Sequence, residues 1–360
     1  MSPRQVLEKT RKFEGARRYY RKALEIYITS KNLPEQACTY YHLGNVALEL
    51  RDFHQAYENY KQSVNIYNNF HDDHSKGLAY HQLGRVTEEI NNPELARHYY
   101  QKSLEISIHS GNRDSQASNY HHLGTIALND LDNLEQARDY YKKALNIRLE
   151  LKDLSSQASI YHQLGRVAQK EGELEKARDL YKKALSIDIG SDDRYSQAST
   201  YHQLGRVAQD LHEFEQARND YQQALQITIE FGDRYSQAST YHQLGIVAQA
   251  LREYDQARND YQQALQIKIE FDDRYSQAST YSQLGLLAEA LDETEEAIAN
   301  HLQDLTISME YQDQRRLVFV LGNLDRLYKS HPSPQLLSAI SQVLNISDAE
   351  VLQLFAQVTA

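Results

Sequence analysis

Histidine returns along this chain at a fixed interval. His81, His121, His162, His202 and His242 stand 40 or 41 residues apart, and Arg85, Arg166 and Arg206 each follow one of them by four residues. A spacing of four puts both side chains on one face of a helix. Three residues beyond the arginine position lie Gln169, Gln209 and Gln249. The set is rich in hydrogen-bond donors, and arginine presents a planar fork that matches a carboxylate or a phosphate. Such a stripe suits recognition of an acidic ligand.

Bond-making chemistry has little to work with. There is no glycine-rich phosphate loop, and the lone Cys38 has no nucleophile context. His212-Glu213 lacks the second histidine of a zinc-protease helix. One cysteine permits neither a disulfide framework nor a multi-cysteine metal site. The histidines are spaced one per unit, with units about 10 Å apart if helices pack normally, whereas a zinc–nitrogen bond is about 2 Å. Paired carboxylates such as Glu295-Glu296 read as solvated helix faces. The expectation is a chain that is not an enzyme and has no catalytic residue, metal or cofactor.

The elements that position the stripe repeat with it. Tyr-His-Gln-Leu-Gly at 201–205 has relatives beginning at Tyr40, Tyr80, Tyr120, Tyr161, Tyr241 and Tyr281. The steps are 40 residues apart from one of 41, whose extra residue falls between Gly124 and Leu134. A fixed period in this range marks a solenoid. Each unit then carries a second series, Ala217, Tyr221 and Ala224 in one of them, with counterparts such as Ala56, Tyr60, Ser63 and Ala137, Tyr141, Ala144. Spacings of four and three put these on one helical face.

Capping residues set the boundaries. Asn32, Asp72, Asn112, Asp153, Asp193, Asp233 and Asp273 each stand eight residues before a signature tyrosine. Their side chains can accept from an orphan amide of the helix they start. First (A) helices are therefore expected at 33–50 and at 40-residue steps onward. Second (B) helices are expected to begin near Phe53, Pro93, Leu134, Leu174, Phe214, Tyr254 and Thr294.

The chain of 360 residues is 41% hydrophobic and 25% charged, enough apolar side chain for a core and too much for disorder. No apolar run reaches the length of a membrane span, and Met1 to Lys12 has no signal-peptide stretch. A cytoplasmic protein is expected, with no membrane partner. The net charge of −11 argues against nucleic acid as a partner.

The signature aromatic, Leu-Gly pair, alanine, aromatic and small residue in seven consecutive units resemble the tetratricopeptide repeat. The units are longer than the usual 34 residues, as in Pins-type adaptor arrays and arrays attached to bacterial signalling ATPases and caspase-like proteases; kinesin light chains are a looser likeness. The resemblance implies an all-α, right-handed solenoid or superhelix of antiparallel helix pairs. Residues 1–31 would be a truncated first repeat, mainly its B helix, with Arg4 to Leu7 the tail of its A helix. Seven units would fill 32–310, and a degenerate repeat with a helical cap 311–360. Ser333-Pro334 and the capping box Ser347-Asp-Ala-Glu350 are expected to start the last helices. The opening half-repeat reads as a fragment of a longer protein in preference to a shortened cap.

In the family, the first and fifth residues after the signature aromatic face the concave groove. Here the first position holds Tyr41, His81, His121, His162, His202, His242 and Ser282; the fifth holds Asn45, Arg85, Thr125, Arg166, Arg206, Ile246 and Leu286. Gln169, Gln209 and Gln249 lie three further on, with Ser159, Ser199, Ser239 and Ser279 one turn earlier. The leading expectation is a scaffold holding an extended, acidic protein or peptide segment in the groove, tightening as the histidines charge below pH ~6.5. A bland alternative is open, in which the histidines only bond the adjacent repeat. Other readings are the sensor arm of a larger signalling ATPase or protease, with its effector domain upstream, and, less favoured, an RNA-binding helical repeat.

Overall fold

The computed structural model describes residues 3–70, 72–129 and 133–358, and among them only helices occur. The A helices are α2 (Leu33–Glu49), α4 (Asp73–Glu89), α6 (Arg113–Asn129), α8 (Leu154–Lys170), α10 (Arg194–Asp210), α12 (Arg234–Ala250), α14 (Arg274–Ala290) and α16 (Gln314–Ser330). The B helices are α3 (Phe53–Tyr67), α5 (Pro93–His109), α7 (Leu134–Glu150), α9 (Leu174–Gly190), α11 (Phe214–Glu230), α13 (Tyr254–Glu270) and α15 (Thr294–Glu310). Helix α1 (Pro3–Thr29) precedes them, and α17 (Pro334–Leu344) and α18 (Asp348–Val358) close the chain. None of the described helices is long and apolar enough to cross a membrane.

Each expected A-helix cap is in place: the side chains of Asn32, Asp72, Asn112, Asp153, Asp193, Asp233 and Asp273 accept from the amide three residues on. The turns are very short. Glu213 donates its amide to Ala208 across a 2.8 Å bond that closes α10, and its carbonyl accepts the first amide of α11 from Ala217. This six-to-one closure needs a left-handed residue just before the cap. Gly172 and Gly232 supply it at φ 78° and 64°, but His212 and Arg252 take φ 60° and 63° with a Cβ present. The extra residue of the 41-residue step belongs to the turn containing 130–132, outside the described residues.

The Leu-Gly glycine is where the helices touch. A Cβ on Gly205 would lie 2.7 Å from Tyr221 Cδ1, and one on Gly44 2.5 Å from Tyr60 Cε1. The B-helix tyrosines Tyr60, Tyr100, Tyr141, Tyr181, Tyr221 and Tyr261 are fully buried, while the signature tyrosines such as Tyr201 are only half-buried. A-helix glutamines also tie successive repeats: Gln237 Nε2 donates to the Thr228 carbonyl at 3.2 Å, and Gln116 to that of Ser107 at 2.8 Å. These carbonyls end B helices, where each also accepts the closing amide of Asp233 or Asn112 at 2.9 Å.

The chain forms two units, Met1–Ile187 and Asp188–Ala360. In the first, α1 to α7 pack in series onto α8, and α6 also meets α8. In the second, α10 to α16 pack in series, with α10 meeting α12 and α12 meeting α14. That unit ends in an apolar core of Leu305, Val320, Leu324, Ile340, Val351 and Phe355. Ser333 caps α17, and Ser347 and Glu350 bond each other's amides at the start of α18.

At the N-terminal side one expectation changes. Pro3–Thr29 is a single helix, with no break between the expected A-helix tail at Arg4–Leu7 and the B helix from Phe13. The register position that is Asp52 or Asn92 elsewhere is Lys12 here, which has no acceptor to cap a new helix.

Candidate functional site on the A-helix face

The histidine stripe is held between repeats. His81 Nδ1 lies 2.9 Å from Asn119 Oδ1 on the next A helix, His202 Nδ1 3.2 Å from Thr240 Oγ1, and His242 Nδ1 3.1 Å from Thr280 Oγ1. Each ring also packs on the B-helix tyrosine of its own repeat, His81 on Tyr100, His121 on Tyr141, His162 on Tyr181, His202 on Tyr221 and His242 on Tyr261, with centroids 5.3–5.7 Å apart. Burial pushes the imidazoles of His81, His121, His162 and His202 down to about 4 and that of His242 to about 3. They are neutral throughout the pH 7.5–6 range, so the expected gain of positive charge on mild acidification does not occur.

The glutamines have a structural partner as well. Tyr181, Tyr221 and Tyr261 donate their hydroxyls to Gln169, Gln209 and Gln249 at 3.2, 3.0 and 2.9 Å. Glu88 takes the same role for Tyr100. Where that position is Leu48 or Leu128, the fifth position substitutes: Tyr60 donates to Asn45 Oδ1 at 2.7 Å, and Tyr141 bonds Thr125 Oγ1 at 3.0 Å. A buried hydroxyl left unpaired is costly, and two neighbouring positions on the A helix share the task of pairing it.

The arginines differ from both. Arg85 and Arg206 are exposed and Arg166 is half-buried. Arg85 donates to Gln82 at 3.1 Å, and Arg166 to Gln163 at 2.9 Å and Asn129 at 3.0 Å, all neutral acceptors. Several arginines elsewhere are matched to acids. Arg194, Arg234 and Arg274 reach Glu230, Glu270 and Glu310 at 3.1–3.3 Å, and Arg218 reaches Glu253 at 2.6 Å. The A-helix face thus carries cations whose charge is not neutralised by a contacting carboxylate.

Among α10, α11 and α12 lies a cavity of about 190 Å³ whose lining includes Ser199, His202, Thr228, Ser239 and Thr240, with Tyr195 and Asp233. The sequence reading assigned nothing to Thr228 or to its counterpart Lys268. The signal was present: units 193–232 and 233–272 differ at seven positions, and Thr228/Lys268 is the one among them on a buried inter-repeat surface.

The tetratricopeptide repeat family model matches residues 35–109, 78–150, 156–230 and 236–308. Among solved structures, the apo form of the quorum sensor NprR from B. thuringiensis is similar with a TM-score of 0.67 at 15% identity, over 96% of this chain and 98% of that one. Apo RapI aligns with a TM-score of 0.62 at 13% identity, over 77% and 99%. BtubC from P. vanneervenii aligns with a TM-score of 0.52 at 22% identity, over 64% and 91%. At these identities the likeness is one of fold. No curated protein sequence matches the chain.

Proposed function

The chain belongs to the tetratricopeptide repeat family, and from that premise we propose that it is a cytoplasmic, non-catalytic protein-interaction scaffold whose A-helix face holds an extended, acidic peptide segment. The observation that carries the reading is the set Arg85, Arg166 and Arg206, which contact only neutral groups or none on a chain of net charge −11. An acidic protein in which no carboxylate among the described residues contacts these guanidinium groups has left donors for a partner's carboxylates. Within each unit the neutral imidazoles (His81, His121 and His162 in the first, His202 and His242 in the second) and the amides (Gln169 in the first, Gln209 and Gln249 in the second) form the floor from which that unit's arginines project.

Fluorescence anisotropy of a labelled glutamate-rich peptide tests this at low salt. A hydrogen bond to a charged group contributes about 1.5–3 kcal/mol, so Arg166→Ala with Arg206→Ala should weaken binding by tenfold or more. Affinity should be flat between pH 7.5 and 6, because the imidazoles remain neutral there. Unchanged affinity in the double variant would remove the arginines from the site. Tighter binding of a single-stranded RNA than of the peptide would replace the ligand class.

A further inference from the structure

Two successive inter-repeat slots in the second unit are built from the same residues, with one difference. Around Lys268, on α13, the ammonium donates to the Ser276 carbonyl at 3.0 Å, to Ser279 Oγ at 3.4 Å and to Thr280 Oγ1 at 2.8 Å. Lys268 is only 7% exposed, and burial pulls its ammonium down to about 8 while Asp273 opposes the shift. The slot one repeat earlier offers the corresponding acceptors: the Ser236 carbonyl, Ser239 Oγ and Thr240 Oγ1. Both hydroxyls there point to the Ser236 carbonyl, at 3.0 and 3.3 Å, which leaves the lone pairs of Ser239 Oγ and, beside the bond to His202, one of Thr240 Oγ1 for an incoming donor. Asp233, which also lines the slot, corresponds to Asp273. Burial works to raise its pKa, but bonds from Ser236 and Tyr195 hold it below the usual carboxylate range, so it is an anion at neutral pH.

Only the cation is missing. Thr228 stands where Lys268 stands, and its hydroxyl turns back to the Leu225 carbonyl at 2.9 Å. The space the lysine would occupy is part of the cavity of about 190 Å³, several times the ~30 Å³ share of one water. An ammonium has three donors and no acceptor, and three acceptors plus a carboxylate are what the slot offers. The mouth carries exposed Ser199 and Ser239 on the A-helix face.

We propose that the Thr228 slot is a binding site for a primary ammonium group, presented by a lysyl side chain of a partner or by a free alkylamine, and that Lys268 is the internal occupant of its twin. The site goes beyond the arginine face and does not depend on it, so Arg166→Ala with Arg206→Ala should leave it intact.

The test is an NMR titration with n-butylamine at pH 7, following the methyl groups of Ala198 and Ala224, which line the open slot, and of Ala238 and Ala264, their counterparts one repeat on. The first pair should shift saturably and the second should not. n-Butanol, of the same size but neutral, should bind at least tenfold more weakly. Thr228→Lys should raise the apparent dissociation constant at least tenfold, and it should fold because the next repeat already carries that residue. Lys268→Thr should open a second site and bring the Ala238 and Ala264 methyls into the titration. Equal response of both slots in the unsubstituted chain, butanol binding as well as butylamine, or undiminished binding in Thr228→Lys would each overturn the proposal. A lysine-containing peptide compared with its norleucine analogue separates the sources. A tenfold advantage of the lysine peptide over butylamine, lost with norleucine, identifies a partner's side chain; no advantage identifies a free amine.

Discussion

The core at Tyr221 and the core at His301 occupy the same place in two repeats of one unit, and they are held by different forces. In the first, Gly205 lets the Tyr221 ring sit against the A helix, Ala224 keeps the B helix close, and the hydroxyl donates to the neutral Gln209. In the second, Gly285 admits the fully buried His301 ring, whose Nε2 lies 2.8 Å from Glu289 Oε1, and Glu289 is gripped by Arg326 at 2.9–3.0 Å. Asp304, fully buried where Ala224 stands, takes a 2.5 Å bond from Arg316 Nε. Both arginines come from α16. The degenerate repeat is therefore not simply a worn copy. It exchanges a self-sufficient neutral core for carboxylates that also draw on two arginines of the following helix, which docks the apolar cap behind it. A solenoid needs such a distinct terminal unit to cover apolar surface.

Breaking the ionic core should have the largest effect. Asp304→Ala leaves Arg316 facing a buried site without its acid, and removing one partner of a buried pair costs about 3–5 kcal/mol. Chemical denaturation read with hydrogen exchange should show α15 to α17 opening first. A loss under about 1 kcal/mol would mean that the pair is not load-sharing and that the apolar cap alone docks α16. Gly205→Ala should come next, at about 2–3 kcal/mol for overpacking, since its Cβ would meet the Tyr221 ring at 2.7 Å. If Gly205→Ala is neutral, the tyrosine ring can retreat and the helix crossing is looser than the contact implies.

The caps, the B-helix face and the Leu-Gly crossing could be read from sequence because they are short-range: Asp193 bonds an amide three residues on, and Ala217, Tyr221 and Ala224 share a face by spacing alone. The direction of the histidines was not legible for the opposite reason. His202 meets Thr240, 38 residues further along the chain, so its orientation depends on how one repeat leans on the next. Spacing of four from Arg206 is equally consistent with a groove-facing or a neighbour-facing ring. The glutamines were hidden in the same way, since Gln209 answers a hydroxyl on another helix, 12 residues away. The arginines were legible because a long, fully charged side chain reaches solvent from almost any position on that face.

Acid should separate the two regions by a smaller margin. The folded imidazoles of His81, His121, His162 and His202 titrate at about 4, whereas an unfolded histidine titrates near 6.5. Between those values the unfolded chain binds more protons, so stability is fully present above pH ~6.5 and falls as pH drops toward 4. At pH 5 the difference is about 2 kcal/mol for each imidazole. The terminal core has Ser282 at that register position, and the Glu289 carboxyl is held low by His301 and Arg326 against the opposing effect of burial, so its contribution persists until the pH falls below the ordinary carboxylate range. Hydrogen exchange at pH 7 and pH 5 should therefore show the histidine-bearing repeats loosening while α14 to α16 change less. Equal loosening in both regions would show that the stripe is not what acid attacks.

The smallest effect should come from the neutral core itself. Tyr221→Phe keeps the ring against Gly205 and removes only the hydroxyl, leaving the half-buried Gln209 free to turn to water, so the cost should be about 1 kcal/mol. Gln209→Leu should cost somewhat more, about 1–2 kcal/mol, because it leaves the Tyr221 hydroxyl without its acceptor, whereas Leu128 sits beside a tyrosine satisfied by Thr125. The informative variant is Gln209→Leu combined with Arg206→Thr, which transplants the arrangement of the third repeat into the fifth. If the hydroxyl is what the A helix must satisfy, stability should return to within a few tenths of a kcal/mol of the parent, and the double-mutant cycle should show coupling between the two positions that can serve the hydroxyl. Additive losses would mean that the tyrosine hydroxyl tolerates solvent in its place, and that the polar residues at these two positions are retained for the ligand face and not for the core.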